Sequence, residues 1–266
     1  MIRFLRRFDP HTIRLLIFDL DGTLIDSRLD LIHSVNAMLR HFGRPELDGD
    51  VIASYVGDGA PALVRRALVL DGDEGDEAFF RSALEYFLGY YRMHKLDHTT
   101  VYDGIPETLA ALAAGAVQAG ADRNVPPHHA NIGGAGGPGV RPTRALEGEA
   151  VRPTRLMAVL SNKPVRPSQD IVQALGMGDY FVRIYGGNSF ATKKPDPLGA
   201  ETILHETGVA PEETLMIGDS SVDVLTGRNA GLWTCGVTYG FAPQTLEEVA
   251  PDVVVEKPRE LGELFR

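Results

Sequence analysis

The sequence predicts an α/β fold with a parallel β-sheet core and an all-helical segment inserted after the first strand. The first observation is a series of short apolar runs, each of which ends at a polar residue or a glycine. The second is a set of helical segments between the later runs. Strands and helices that alternate in this way favour a parallel sheet, because each connection between parallel strands crosses a face of the sheet.

Six apolar runs are the candidate strands, and they read as nearly continuous hydrophobic segments that are buried on both faces. The segments between the later runs resemble helices, and several close on a glycine that is suited to a left-handed cap. The runs are RLLIF (14–18), RLMAVL (155–160), YFVRIYGG (180–187), TLMIG (214–218), TCGVTYG (234–240) and DVVVE (252–256), and the helical segments are PSQDIVQALG (167–176), LGAETILHETG (198–208) and VDVLTGRNAG (222–231).

Residues 28–97 interrupt the alternation of strands and helices. Two stretches place apolar side chains at helical spacing, and two shorter stretches, VIASYVG and APALVRRALVL, are further helix candidates. We predict that 28–97 form a helical cap above the first strand, so that the core comprises residues 1–27 and 98–266. The two periodic sets are Leu31, Val35, Met38 and Phe42, and Phe80, Leu84, Phe87 and Tyr91.

A second insertion is predicted at residues 116–152. This segment is rich in Gly, Pro and Ala, and the pentapeptide VRPTR occurs at 140–144 and again at 151–155. Such composition is typical of flexible, low-complexity chain. Because the helix before it and the strand after it are strongly patterned, we interpret 116–152 as a loop inserted within the core.

Composition excludes several classes of function. The formal net charge is −10, and no basic cluster favours nucleic acid or an anionic membrane. No apolar run approaches the roughly 20 residues that a membrane span needs. The single cysteine, Cys235, excludes an internal disulfide bond and favours a reducing compartment, so a cytoplasmic location is expected. The sequence gives no indication of the oligomeric state.

Polar side chains follow four of the predicted strands. Asp19 and Asp21 follow RLLIF, Ser161 follows RLMAVL, Lys194 lies beyond YFVRIYGG, and Asp219 follows TLMIG. The carboxyl ends of parallel strands meet at one edge of the sheet, which is where ligands bind in open α/β folds. Clustered carboxylates need a cation, and an oxygen-only ligand set suits Mg²⁺. This edge is therefore a candidate metal and phosphate site.

Four motifs in order make the chain similar to the haloacid dehalogenase superfamily, specifically its phosphatases with a helical cap. The motifs are DLDGT (19–23), LSN (160–162), KKPDP (193–197) and GDSSVD (218–223). Three further segments resemble the phosphoglycolate phosphatase branch: SYVGDGAPALVRRAL (54–68), NSFATKKPDP (188–197) and VTYGFA (237–242). The resemblance implies a Rossmann-like sheet and Mg²⁺-dependent hydrolysis of a small phosphorylated metabolite.

The resemblance also implies a role for each carboxylate. Asp19 would attack phosphorus and become an aspartyl phosphate, while Asp21 would protonate the leaving oxygen and later activate water. Mg²⁺ would be held by the Asp19 carboxylate, the Asp21 backbone carbonyl and the Asp219 carboxylate. Asp223 would orient a metal-bound water or Lys194.

The remaining implied roles concern substrate binding. Ser161 and the backbone of Asn162 would bind a phosphoryl oxygen, and Lys194 would offset charge on the nucleophile and the phosphate. Arg66, in the RRAL segment of the cap, is a candidate for binding the rest of the substrate, or else a solvated residue on a helix face.

Each of these residues also has a purely structural interpretation, such as a turn or helix-capping side chain for the aspartates. The combination of four motifs in order favours the functional interpretation. Within the enzyme class, another phosphatase of the superfamily or a sugar phosphomutase stays open, since the cap selects the leaving group. A phosphate-binding relative without turnover is the alternative from another class.

Overall fold

A computed structural model describes residues 1–68, 77–117 and 155–266. The loop is predicted at 116–152, but residues 116 and 117 belong to the end of a helix, and the rest of the predicted loop lies outside the described residues. The described chain contains nine strands: β1 (Arg3–Phe4), β2 (Leu15–Phe18), β3 (Ile25–Asp26), β4 (Thr100–Val101), β5 (Leu156–Leu160), β6 (Arg183–Tyr185), β7 (Thr214–Gly218), β8 (Trp233–Val237) and β9 (Val253–Val255).

Nine α-helices accompany these strands within the described ranges. The predicted helix caps are present, since Gly208 ends one helix in the left-handed conformation with φ +66°. Short 3₁₀ helices lie at Pro10–Thr12, Gly178–Tyr180, Pro211–Glu213 and Pro243–Leu246. The α-helices are α1 (Arg28–His41), α2 (Gly49–Ser54), α3 (Ala60–Ala67), α4 (Glu77–His94), α5 (Ile105–Val117), α6 (Val165–Ala174), α7 (Leu198–Thr207), α8 (Ser221–Asn229) and α9 (Pro258–Glu263).

Seven strands form one sheet in the order β1-β9-β8-β7-β2-β5-β6. All neighbours pair in parallel except β1, which runs antiparallel to β9. The predicted parallel sheet is confirmed, and the antiparallel edge strand β1 is an addition. β1 has only two residues, Arg3 and Phe4, so it contains no apolar run from which a strand could be predicted.

The two faces of the sheet are both covered, as the continuous apolar runs predict. Leu16 and Phe18 of β2 belong to a cluster that includes side chains of α5, α6 and α9. Leu15 and Ile17 belong to a second cluster, which includes side chains of α7. Alternate residues of one strand therefore pack against different helices, in agreement with the two-residue period of a strand.

The four helices α1–α4 have a hydrophobic cluster of their own, with Val35, Met38, Ile52, Val64 and Phe87 among its buried members. The antiparallel pair β3–β4 lies where the chain enters and leaves this helical region. The separate cluster supports the proposed division into a core and a helical cap. No helix in the described ranges combines the length and apolar character needed to cross a bilayer.

Candidate active site

The site residues predicted in the core come together at the carboxyl edge of the sheet. Asp19 follows β2 directly, Ser161 follows β5 and Asp219 follows β7, and these three strands are neighbours in the sheet. Lys194 reaches the same point from the chain that follows β6. The adjacency of the strands in parallel register explains why distant sequence positions meet here.

Gly22 makes the turn that brings Asp21 and Asp19 to the same edge. Its φ of +79° lies in the left-handed region, which glycine adopts without the steric cost that other residues carry. A Cβ at this position would lie 2.2 Å from Asp219 Oδ2 and 3.1 Å from the Phe241 nitrogen. The turn therefore needs glycine for its backbone angle and for the close approach of Asp219.

Lys194 forms the central ion pairs of the site. Its ammonium lies 2.9 Å from Asp19 Oδ1 and 2.6 Å from Asp223 Oδ1, and its side chain is only 2% exposed. Burial alone would lower the pKa of Lys194, but Asp19 and Asp223 raise it above its usual value. Lys194 is therefore a fixed positive charge beside the Asp19 carboxylate.

Three carboxylates form the candidate metal site. Asp19, Asp219 and Asp223 each offer an oxygen, and these oxygens lie within 4.8 Å of one another. Burial, reinforced by the nearby carboxylates, raises the pKa of Asp219 to about 8 and that of Asp19 to about 6. A bound cation would relieve this repulsion, and the oxygen-only donor set suits Mg²⁺. The side chains that meet are thus Asp19, Asp219 and Asp223, whereas that of Asp21 points to another partner.

Asp219 is held by the backbone of the VTYGFA segment. Its Oδ2 accepts hydrogen bonds from the Phe241 nitrogen at 2.5 Å and the Ala242 nitrogen at 3.3 Å. These two donors partly oppose the rise in the pKa of Asp219. The segment after β8 therefore orients one of the candidate metal ligands.

Asp223 is fixed by a capping box at the beginning of α8. Its Oδ2 accepts from the Ser220 nitrogen at 3.2 Å and from Ser220 Oγ at 2.8 Å. Its other oxygen, Oδ1, faces Lys194. A residue that looks like an ordinary helix cap in the sequence thus also positions the buried lysine.

Asp21 pairs with a residue that the sequence analysis did not predict. Lys163 Nζ lies 2.9 Å from Oδ1 and 3.0 Å from Oδ2 of Asp21, and Ser27 Oγ donates to Oδ1 at 2.5 Å. The Lys163 side chain is only 4% exposed. Although burial alone would lower it, the pKa of Lys163 is raised by Asp21 and Tyr91.

Ser161 and Asn162 lie beside these charges, both buried. Ser161 Oγ accepts a hydrogen bond from the Lys163 nitrogen at 3.3 Å. The Asn162 side chain donates to the carbonyl oxygens of Gly57 at 3.0 Å and Lys194 at 3.1 Å. The Asn162 side chain therefore links the core loops to the cap, and phosphate binding by its backbone stays a prediction.

Arg66 lies on α3 and contacts the cap loop that precedes it. Its guanidinium forms an ion pair with Asp58 and donates to the Tyr55 carbonyl oxygen at 3.0 Å. Its side chain is 43% exposed, and it does not line the cavity formed by described residues above Asp19. The role of Arg66 in substrate binding stays a prediction.

A cavity lies above the strand ends, between the core and the cap. Its core side carries most of the polar groups, and its cap side is almost entirely apolar apart from Tyr91. The core side includes Asp19, Asp21, Ser161, Asn162, Lys163 and Asp219, and the cap side includes Leu31, Val56, Ala60, Leu63, Phe87, Leu88 and Tyr91.

Lys163 and Tyr91 are two polar side chains of this cavity that the sequence analysis did not assign to the site. Lys163 directly follows the LSN motif, so its position was a usable signal. Tyr91 belongs to the apolar face of α4, where its spacing predicts only a core residue. The proximity of the two, with Lys163 Nζ 4.7 Å from the Tyr91 ring centre, depends on how the cap sits on the core.

Comparison with known proteins gives consistent matches. Residues 16–121 and 154–237 match the family of haloacid dehalogenase-like hydrolases. The phosphoglycolate phosphatase of Chromobacterium violaceum is 33% identical over 255 residues, with 96% of this chain and 97% of the relative covered. That of Pseudomonas putida is 32% identical over 252 residues, covering 93% and 78% respectively.

Solved structures show the same fold. A crystal structure of a predicted phosphoglycolate phosphatase from Haemophilus somnus 129pt superposes with a TM-score of 0.77 at 25% identity, covering 96% of this chain and 99% of that one. A haloacid dehalogenase-like family hydrolase from Streptococcus pneumoniae gives a TM-score of 0.73 at 21% identity, with 96% and 99% coverage. The second match supports the fold alone.

Proposed function

Because the chain belongs to the haloacid dehalogenase-like hydrolase family, we propose that it is a Mg²⁺-dependent phosphatase whose first candidate substrate is 2-phosphoglycolate. The curated relatives named above are phosphoglycolate phosphatases and cover nearly the whole chain. The observation that carries the proposal is the buried group of Asp19, Asp219, Asp223 and Lys194 at the ends of adjacent parallel strands.

Asp19 is the proposed nucleophile. A carboxylate oxygen of Asp19 forms a bond to phosphorus as the bond from phosphorus to the ester oxygen breaks. Lys194, fixed beside Asp19, offsets negative charge on the nucleophile and on the phosphoryl oxygens. The Ser161 hydroxyl and the backbone N–H of Asn162 would supply further donors to the phosphoryl group, since both residues line the same cavity.

Asp21 is the proposed acid and base. It gives a proton to the leaving oxygen in the first step, then accepts one from the water that releases phosphate from Asp19. Ser27 and Lys163 hold its carboxylate in place with contacts of 2.5–3.0 Å. Asp21 lines the same cavity as Asp19, a position that suits a group acting on the leaving oxygen.

The Asp19 carboxylate, the Asp21 backbone carbonyl and the Asp219 carboxylate would hold Mg²⁺, and Asp223, which pairs with Lys194, lies beside them. When bound, the ion would neutralise their mutual repulsion and polarise the phosphoryl group. The backbone N–H groups of Phe241 and Ala242 keep Asp219 in position, and Ser220 keeps Asp223 in position. The apolar cap side of the cavity would exclude water from the leaving group.

The proposal is tested by phosphate release from the purified protein with a panel of monoesters. The panel contains 2-phosphoglycolate, ethyl phosphate, glucose 6-phosphate, and β-glucose 1-phosphate as a mutase substrate. We expect Mg²⁺-dependent release, highest kcat/KM on 2-phosphoglycolate, and loss of release in EDTA. Conversion of the glucose phosphates without net phosphate release, or no turnover of any ester, would contradict the proposal.

A further inference from the structure

Lys163 and Tyr91 place two polar groups at the boundary between core and cap. The proposed chemistry uses Lys163 only to position Asp21, and it does not use Tyr91. Both line the cavity above Asp19. Among the described residues, the other cap-side residues that line it are Leu31, Val56, Gly57, Gly59, Ala60, Leu63, Phe87 and Leu88, and none of these has a polar side chain. The leaving-group half of the cavity therefore offers few polar side-chain contacts, and these two are the strongest.

The Lys163 ammonium lies beside both Asp21 and Tyr91. It contacts both oxygens of the Asp21 carboxylate, and it lies 4.7 Å from the centre of the Tyr91 ring and interacts with the Tyr91 hydroxyl. Asp21 is the proposed acid for the leaving oxygen, and Lys163 contacts the Asp21 carboxylate directly. Only that carboxylate therefore separates Lys163 from the leaving oxygen. A charged donor at this point faces the part of a substrate that immediately follows the ester oxygen.

The Tyr91 hydroxyl is a buried group whose proton has no acceptor among the described residues. Tyr91 is 3% exposed, and its polar neighbour Lys163 is a donor and cannot accept that proton. Burial raises the pKa of Tyr91 to about 12, against the opposing effect of Lys163, so the hydroxyl carries its proton at neutral pH. A buried hydroxyl without an acceptor is unfavourable, and an acceptor supplied by a ligand would relieve this.

We infer that Lys163 and Tyr91 form the subsite for a carboxylate on the leaving group, an inference that rests on the proposed function. In 2-phosphoglycolate only one methylene group separates the carboxylate from the ester oxygen that Asp21 protonates. A carboxylate this close to Asp21 would be repelled unless a cation lay beside both, and Lys163 is such a cation. The Tyr91 hydroxyl supplies the second donor.

This subsite also connects substrate choice to the cap. Tyr91 belongs to α4 of the cap, whereas Lys163 belongs to the loop after β5 of the core. A carboxylate bound by both bridges the two parts over the reacting phosphate. A monoester without the carboxylate lacks this bridge and leaves the Tyr91 hydroxyl without an acceptor, so the site discriminates against it.

The test compares 2-phosphoglycolate with ethyl phosphate, an ester of similar size without a carboxylate. The variants are Tyr91→Phe, Lys163→Gln and Lys163→Arg, and the matched control is Tyr90→Phe on the same helix, whose ring stacks on His94 outside the cavity. We expect Tyr91→Phe to lose roughly tenfold more kcat/KM on 2-phosphoglycolate than on ethyl phosphate, mainly through KM. Lys163→Gln should lose more of this preference than Lys163→Arg, and Tyr90→Phe should keep it.

A binding measurement separates recognition from catalysis. In an Asp19→Asn background, calorimetry should show 2-phosphoglycolate bound roughly tenfold more weakly when Tyr91→Phe is added, with little change for inorganic phosphate. Unchanged preference and affinity in both Tyr91→Phe and Lys163→Gln would overturn the subsite, as would loss of preference in Arg66→Ala alone. A wild-type enzyme without preference for 2-phosphoglycolate would instead contradict the proposed function.

Discussion

The Lys194 ammonium and the Asp19 carboxylate form a buried ion pair 2.9 Å long at the carboxyl edge of the sheet. Asp223 holds the same ammonium from the other side at 2.6 Å. The positive charge therefore lies where the phosphoryl group must approach the nucleophile. The Lys194 side chain is nearly inaccessible to water, so water cannot readily take the place of its charge. Removal of this lysine therefore leaves Asp19 and Asp223 without their cation.

The first prediction concerns this lysine and its neighbour in the sequence. Lys194→Met should lower kcat at least roughly a hundredfold and reduce the melting temperature, since breaking a buried pair costs about 3–5 kcal/mol. Lys193→Met is the matched control, because Lys193 is exposed and donates to the Asp58 carbonyl oxygen of the cap. Steady-state kinetics and thermal unfolding measure both effects. Equal losses in the two variants would contradict the special role of Lys194.

The second prediction concerns the repulsion among the three carboxylates. Asp219→Asn keeps an oxygen for the Phe241 and Ala242 donors but removes the charge, so the variant should melt higher than wild type in EDTA. The pKa of Asp219 is raised to about 8 when folded, from an ordinary value near 4, so ionisation favours unfolding across this interval. The difference in melting temperature should therefore grow from pH 5 to about pH 8 and then level off.

The effect of added Mg²⁺ on the melting temperature complements the measurement in EDTA. Addition of Mg²⁺ should raise the melting temperature of wild type and have a smaller effect on Asp219→Asn, since ligand binding to the folded state stabilises it. Asp179→Asn, at an exposed position, is the control for removal of a surface carboxylate. A Mg²⁺ shift of the same size in wild type and Asp219→Asn would argue against Asp219 as a ligand.

The third prediction separates steric fit from backbone strain. Gly22→Ala would place a Cβ 2.2 Å from Asp219 Oδ2 at a φ of +79°, so it should displace Asp219 and abolish most activity. Gly176→Ala has a similar φ of +72° but open space around the new Cβ. It should lower stability by about 1 kcal/mol and leave kcat/KM unchanged. Comparable activity in both variants would show that Asp219 does not depend on the turn.

The sequence predicted the parallel core well because each strand is a continuous apolar run. It also predicted that Asp19, Ser161 and Asp219 would meet, because the carboxyl ends of parallel strands lie at one edge of the sheet. It did not predict Lys163 as the partner of Asp21, since no periodicity reports on side-chain pairing between loops. Tyr91 was not predicted as a site residue for a related reason. Its helical spacing identifies the apolar face of α4 that packs within the cap, but it does not show that this face also reaches the cavity.

The most direct test of the account is trapping of phosphate on Asp19 in the Asp21→Asn variant. This change removes the acid and base but keeps the nucleophile, so hydrolysis of the intermediate should be slower than its formation from an ester with a good leaving group. Intact-protein and peptide mass spectrometry after mixing with p-nitrophenyl phosphate and Mg²⁺ should show one added phosphoryl group on Asp19. It should be absent in Asp19→Asn combined with Asp21→Asn. A variant that turns over the ester with no phosphoryl group on Asp19, or with the label on another residue, would contradict covalent catalysis by Asp19.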